Sequence, residues 1–173
     1  MPHIIAFAAQ TTDGFIARQP GHLSHTWVSP EDTSQFLAKL GTCDWIVAGR
    51  TTFAPYAQNL RRHKAMLFTS KPLPVTKQLA GRYIEIDPTQ TNPMDVLEAQ
   101  QAERVAILGG TLVYDYFLEA NLLDEVWLTI EPQTFGQGLH TFSRPALLEE
   151  YLTLVETTQL NPAGTQLRHY RRP

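Results

Sequence analysis

Asp32 follows Ser29-Pro30-Glu31, Phe36 comes four residues after it, and Trp27 lies five residues before it. A carboxylate beside aromatic rings can hold the amidine edge of a pterin or pyrimidine, because its two oxygens match two parallel N–H donors. Apolar walls around such a group also raise its pKa towards a useful range. The same stretch carries the Ser-x-x-Asp pattern of a capping box, in which the carboxylate serves the helix start and does no chemistry. Spacing alone leaves both readings open. Thr129, in Val126-Trp127-Leu128-Thr129-Ile130, is a β-branched residue that a strand would accept with or without a function.

Two further segments could hold phosphate. Trp45-Ile46-Val47-Ala48 runs into Gly49-Arg50-Thr51-Thr52, and Val105-Ala106-Ile107-Leu108 runs into Gly109-Gly110-Thr111. Glycine lets backbone approach a ligand, and the N–H groups and dipole of a following helix start attract anions. Arg50 adds a forked cation, and the hydroxyls of Thr51, Thr52 and Thr111 add donors. Each junction alone could be a plain tight turn. Two in one small α/β domain favour a dinucleotide, because ligands bind at the carboxyl ends of sheet strands. Neither the Gly-x-Gly-x-x-Gly fingerprint nor a P-loop is present, which argues against an ordinary dehydrogenase or NTPase.

These residues need a scaffold, and strand and helix signals alternate along the chain. Apolar runs predict strands at His3–Ala9, Asp44–Ala48, Ala65–Thr69, Arg82–Ile86, Arg104–Leu108 and Glu125–Glu131, followed by an antiparallel pair at Tyr151–Gln159 and Gln166–Arg171. Ser29 as cap, Pro30 at the first position and the acids after it predict a helix start. Phe36, Leu37 and Leu40 follow at helical spacing, and Gly41 is a stop. Further helices are expected at Thr51–Ala57, Asp95–Gln101 and Leu112–Ala120, the last with Leu112, Val113, Tyr116 and Phe117 on its inner face. Thr11–His25 reads as a long loop, a common place for function. The fold class expected is α/β: a three-layer sandwich with a mostly parallel central sheet, helices on both faces and an antiparallel C-terminal edge.

The 173 residues suit a single domain spanning 1–173. A hydrophobic share of 43%, a charged share of 18% and a net charge of -3 are ordinary for a globular protein and give no field to attract nucleic acid. The arginines cluster at Arg61-Arg62 and from Arg168 to Arg172, which solvated surface explains. Cys43 stands alone, so an internal disulfide and a Cys-x-x-Cys zinc deaminase site are both excluded. Met1-Pro2-His3-Ile4 opens no basic region, and the apolar run after it soon meets polar residues. The expectation is a cytoplasmic protein with neither signal peptide nor membrane span.

Taken together, the motifs resemble the dihydrofolate reductase-like superfamily, which includes the reductase (C-terminal) domain of the bacterial riboflavin-biosynthesis deaminase-reductase. Ala8-Ala9 and Thr12-Asp13-Gly14-Phe15-Ile16-Ala17 resemble its first strand and the loop over the nicotinamide. Trp27-x-x-Pro30-x-Asp32-x-x-x-Phe36 resembles its substrate helix. Gly49-Arg50-Thr51-Thr52 is similar to its phosphate segment, and Thr69-Ser70 to the pair near the adenosine 2′-phosphate. Leu108-Gly109-Gly110-Thr111-Leu112-Val113-Tyr114 resembles its cofactor turn. Thr129 matches the threonine that supports the acid.

The resemblance implies hydride transfer from NADPH to a pterin- or pyrimidine-type heterocycle. Asp32 and Thr129 would act in catalysis, and Phe7, Trp27 and Phe36 would wall the substrate. Ala9, Ile16 and the two glycine segments, with Thr69 and Ser70, would hold the cofactor. Departures concern the substrate. His63 stands where an arginine grips a glutamate tail, with Arg61 and Arg62 beside it. Ala120 to Val126 and Phe135-Gly136-Gln137-Gly138 look more like the riboflavin-type reductase. A 5-amino-6-(5-phosphoribosylamino)uracil reductase, its substrate phosphate met by Arg18 or Arg61-Arg62, is therefore the alternative. Such reductases are commonly homodimers, and the apolar Leu122 to Ile130 stretch is a candidate interface. A non-catalytic NADPH-binding or dimerisation module would share these motifs. His22-x-x-His25 is the sole hint of a metal hydrolase and lacks an acid at ligand spacing.

Overall fold

A computed structural model describes residues 1–72 and 82–173. Its elements are β1 (His3–Thr11), β2 (Phe15–Ala17), α1 (Pro30–Leu40), β3 (Trp45–Gly49), α2 (Arg50–Phe53), β4 (Lys64–Phe68), β5 (Tyr83–Ile86), α3 (Pro93–Ala99), β6 (Arg104–Ile107), α4 (Thr111–Glu119), β7 (Glu125–Glu131), β8 (Leu139–His140), α5 (Ala146–Tyr151), β9 (Thr153–Gln159) and β10 (Gln166–Arg171). Eight strands form one sheet in the order β5-β4-β3-β6-β1-β7-β10-β9. The first six run parallel. β10 is antiparallel to β7 and to β9, as the C-terminal pattern predicts.

The central strands are apolar on both faces because helices cover both. On one side Trp45, Val47 and Ile107 pack under Leu97 of α3, Phe117 of α4 and Leu147 of α5. On the other, Ile5, Phe7 and Ile46 pack under Leu40 of α1 and Phe53 of α2. Two aspartates finish the amino-terminal edge of the sheet. Asp44 accepts from the backbone N–H groups of Glu103 and Arg104, and Asp124 accepts from that of Ile4, so strand ends that lack a ladder partner are satisfied. The chemistry is left to the opposite, carboxyl edge.

Five expectations need correction. The inner face of α4 is Val113, Tyr114, Phe117 and Leu118, while Leu112 is 84% exposed; a helix that starts at Thr111 turns its second residue to solvent. α3 runs Pro93–Ala99 rather than Asp95–Gln101, because the Asn92 side chain caps it by accepting from Met94 N–H. The stretch Thr11–His25 is not all loop: Phe15–Ala17 pairs with the short β8, an element with too few residues to show a period. Tyr151 ends α5 instead of opening a strand. Finally, β7 lies between β1 and β10 with Leu123, Val126, Leu128 and Ile130 buried inside the protein, so the apolar character of the Leu122 to Ile130 stretch belongs to the core and does not by itself mark an interface.

Phe117 is fully buried and stacks on Phe68 with ring centroids 6.0 Å apart. Phe117→Ala is expected to cost about 3–5 kcal/mol of unfolding free energy. Leu112→Ala is expected to stay within about 0.5 kcal/mol of the parent protein in the same urea titration.

Candidate active site

Ser29, Asp32, Thr129 and Glu131 meet at the head of α1. The Ser29 hydroxyl accepts from Asp32 N–H at 3.3 Å, the first half of a capping box. The second half goes elsewhere: Ser29 N–H donates to Glu131 Oε1 at 2.7 Å. The Asp32 side chain is therefore released from the cap. It accepts a 2.5 Å hydrogen bond from the Thr129 hydroxyl. Strand β7 places Thr129 and Glu131 two residues apart and hence on one face. Both are buried, as is Asp32 at 8% exposure.

Burial is the main reason why the Asp32 carboxyl is pushed up to about 6. The Thr129 hydrogen bond opposes that shift, and the Glu131 charge adds to it. Among the described residues no cation forms an ion pair with Asp32 or Glu131. A carboxyl group with these properties can exchange a proton near neutral pH and can bind a donor pair without a competing arginine.

Asp32 lies at the glycine-ended edge of the sheet. Its partner Thr129 is in register with Ala9 of β1. Two residues earlier on β1, the Phe7 carbonyl accepts from the Tyr114 hydroxyl at 2.5 Å. The Tyr114 ring lies so close under Gly109 that a Cβ there would meet it at 2.4 Å. Burial, with the Asp32 charge adding to it, holds the Tyr114 phenol well above its ordinary range. Phe7 meets Phe36 edge-on at 5.9 Å, so these two expected wall residues come together. Trp27 does not join them. It packs edge-on against Phe135 at 5.2 Å, and its indole N–H is buried without a hydrogen-bond partner.

The two glycine junctions are tied to each other. Gly49 N–H donates to Gly109 carbonyl at 2.8 Å, and Gly110 N–H donates to the Thr52 hydroxyl at 3.1 Å. Gly109 has φ +83° and its bond to Gly110 is cis. Of the three hydroxyls expected to serve a phosphate, Thr52 is thus engaged as an acceptor, and Thr111 donates to the His140 carbonyl at 2.5 Å. Thr51 remains exposed. Arg50 contacts the Lys71 carbonyl and the Glu85 carboxylate, each at a long 3.4 Å. Thr69 accepts from Lys71 N–H, and Ser70 beside it is exposed. Val113 is buried under the turn, whereas the Leu112 side chain points to solvent.

The loop after β1 is fastened over this edge. Asp13 accepts from the Thr11 hydroxyl and from the N–H groups of Phe135 and Gly136. These bonds, led by that of Thr11, hold its carboxyl below the usual range. Ile16 is half-buried in β2, next to Phe15, which stacks on His140.

His63 is tied to the Leu40 carbonyl at 3.2 Å, at the far end of α1 from Asp32, and Arg61 and Arg62 are exposed. Arg18 stacks over the Phe135 ring at 4.2 Å. His22 accepts from Arg18 N–H while His25 contacts Tyr56, and no group of three metal-ligating side chains occurs among the described residues. Glu131 and, through it, Thr165 join this cluster, and the expectations from sequence do not include them. Strand alternation with Thr129 could have found Glu131, but nothing periodic marks Thr165.

A family model described as the RibD C-terminal domain matches residues 62–166. The match includes the Gly109-Gly110 turn, Thr129 and Glu131, and begins after Asp32 and Gly49. No curated protein matches the chain. A pyrimidine reductase-like protein from Corynebacterium diphtheriae is similar in structure, with a TM-score of 0.76, 18% identity and coverage of 99% of this chain and 92% of the other. A dihydrofolate reductase from Enterococcus faecalis, solved with NADP(H), has a TM-score of 0.70 at 20% identity, covering 98% and 96%. A diaminohydroxyphosphoribosylaminopyrimidine deaminase/5-amino-6-(5-phosphoribosylamino)uracil reductase from Thermotoga maritima has a TM-score of 0.74 at 16% identity; 99% of this chain covers 57% of that one. At these identities the likeness establishes the dihydrofolate-reductase-like fold. No helix among the described residues is long and apolar enough to cross a membrane.

Two outcomes test this geometry. Because folding raises the Asp32 pKa from 3.8 to about 6, the native state holds the proton more tightly than the unfolded one. Stability from this group is then greatest below pH 4 and falls as pH rises through 6, by roughly 2–3 kcal/mol in total. Asp32→Asn should remove that part of the pH dependence, read as urea-unfolding free energies from pH 4 to pH 8. Gly109→Ala should cost about 2 kcal/mol or more in the same assay, from positive φ and the clash with Tyr114.

Proposed function

The chain belongs to the RibD C-terminal domain family, and from that membership and the geometry around Asp32 we propose that it is an NADPH-dependent reductase of a pterin- or pyrimidine-type heterocycle. The observation that carries this reading is a buried acid that does not cap its own helix, held by Thr129 beside Phe7 and Phe36 at the carboxyl edge of the sheet. The residues present fit the cofactor. Gly49 ends β3 and Gly109-Gly110 follow β6 after Leu108, Arg50 and Thr51 flank one end, and α4 starts at the other. When bound there, NADPH supplies the hydride.

The protein's part is to bind and align. Ala9 and Ile16 border the place for the nicotinamide, and Gly49 to Thr52, with Gly109 to Tyr114, form the phosphate cradle. Arg50 would exchange its long contact with Glu85 for phosphate. Thr69 and Ser70 would meet a 2′-phosphate. Asp32 holds the N–H edge of the heterocycle, and its raised pKa lets it keep or yield a proton near neutral pH. Phe7 and Phe36 keep water from the reacting ring.

The family and His63 together favour a ribosylaminopyrimidine over dihydrofolate. His63 stands in place of the arginine that would grip a glutamate tail, and one of its ring nitrogens contacts the Leu40 carbonyl. NADPH oxidation measured against dihydrofolate, a pterin lacking glutamate and 5-amino-6-(5-phosphoribosylamino)uracil should be fastest with the last. Asp32→Asn should lower kcat/KM by about 10²-fold or more while the protein stays folded. Oxidation with none of the three would leave an NADPH-binding module.

A further inference from the structure

We propose that Glu131 is the positioning residue of this site, the group that makes Asp32 an acid of the cleft instead of a helix cap. The inference rests on the reading of Asp32 above. Glu131 is 3% exposed, and both of its oxygens are used. Oε1 accepts from Ser29 N–H at 2.7 Å, and Oε2 accepts from the Thr165 hydroxyl at 2.7 Å. The first bond takes the donor that the Asp32 side chain would claim in a complete capping box. The second is anchored in turn: Thr165 accepts from Asn161 Nδ2 at 2.9 Å, and Asn161 Oδ1 accepts from the N–H groups of Gly164 and Thr165. The turn between β9 and β10 thus braces Glu131 against the head of α1.

Charge is the second consequence. Facing Asp32 are Glu131 and Thr129 from β7 and Tyr114 from α4, with Glu31 exposed on its own turn and bonded to Asn161. A buried negative charge without a cation beside it makes ionisation of Asp32 harder. Glu131 therefore does two things at once: it supplies the cap, and it favours the protonated form of the neighbouring acid. Two buried carboxylates at one helix head are costly to keep together, which fits a role in function more than one in stability.

Glu131→Gln removes the charge and keeps an acceptor for Ser29 N–H. The ¹³C carboxyl resonance of Asp32, followed by NMR in the ligand-free protein, should titrate lower in this variant by about half a pH unit or more. The acid limb of kcat/KM should move with it, and Glu131→Asp, which keeps the charge, should restore the Asp32 midpoint. If Glu131→Gln does not fold, Thr165→Val releases one end of the carboxylate and should also displace the midpoint. An Asp32 midpoint equal to that of the parent protein, in whichever variant folds, overturns the proposal. A midpoint that moves in a protein that oxidises NADPH with no heterocycle supports the positioning role and instead overturns the reductase reading.

Discussion

A carboxyl group that is buried with no positive partner is the constraint on which the candidate site depends. Asp32 has a hydroxyl donor on one oxygen and a second carboxylate nearby. In water such a group would ionise freely; here burial and the neighbouring charge make ionisation expensive. The fold tolerates this because the surrounding elements are over-determined. Helix α1 is capped by Ser29 and Glu131, β7 is locked between β1 and β10, and the β9–β10 turn braces the assembly through Thr165. Strain of this kind is what a reactive site asks of its scaffold.

The glycine-rich end of the cleft is built on different physics. There the chain removes side chains instead of burying charge. Gly49 and Gly109 join by a backbone hydrogen bond, and Tyr114 fills the space below Gly109. Its hydroxyl then reaches the Phe7 carbonyl in β1. One aromatic residue thereby connects the glycine turn to the strand beside Asp32. Hydroxyls that look free in the sequence, Thr52 and Thr111, are spent on holding the turn and the β8 segment in place, which leaves Arg50, Thr51 and backbone N–H groups for the proposed phosphate site.

Membership in the RibD C-terminal family rests on residues 62–166, whereas the acid and the first glycine junction precede that span. The wider likeness to dihydrofolate reductase-like structures covers both halves at the level of fold. At the other end of α1 from Asp32, His63 contacts the Leu40 carbonyl, while Glu131 takes the Ser29 N–H at the helix head. A fold of this kind carries different functions through such local groups, so function follows from them and not from the sheet.

Much of this was legible from the amino-acid sequence. Apolar runs and helical spacing reflect local periodicity, so the parallel strands, the start of α1 and the glycine-ended strands were readable from neighbours alone. Within the set that the resemblance names (Asp32, Thr129, Phe7, Trp27 and Phe36), Thr129 bonds Asp32 and Phe7 meets Phe36, while Trp27 packs elsewhere. Short elements such as β2 and β8 escaped because they have too few residues to show a period. The packing of Trp27 on Phe135 also escaped, since a long loop imposes no register. The choice between cap and acid for Asp32 was beyond any local pattern. It is decided by Glu131, 102 residues away from Ser29 in the chain, and by Thr129, 97 residues from Asp32. Sequence determines which groups are available nearby; only the closed sheet determines which distant donor or acceptor arrives first, and a hydrogen bond goes to the partner that tertiary packing brings within reach.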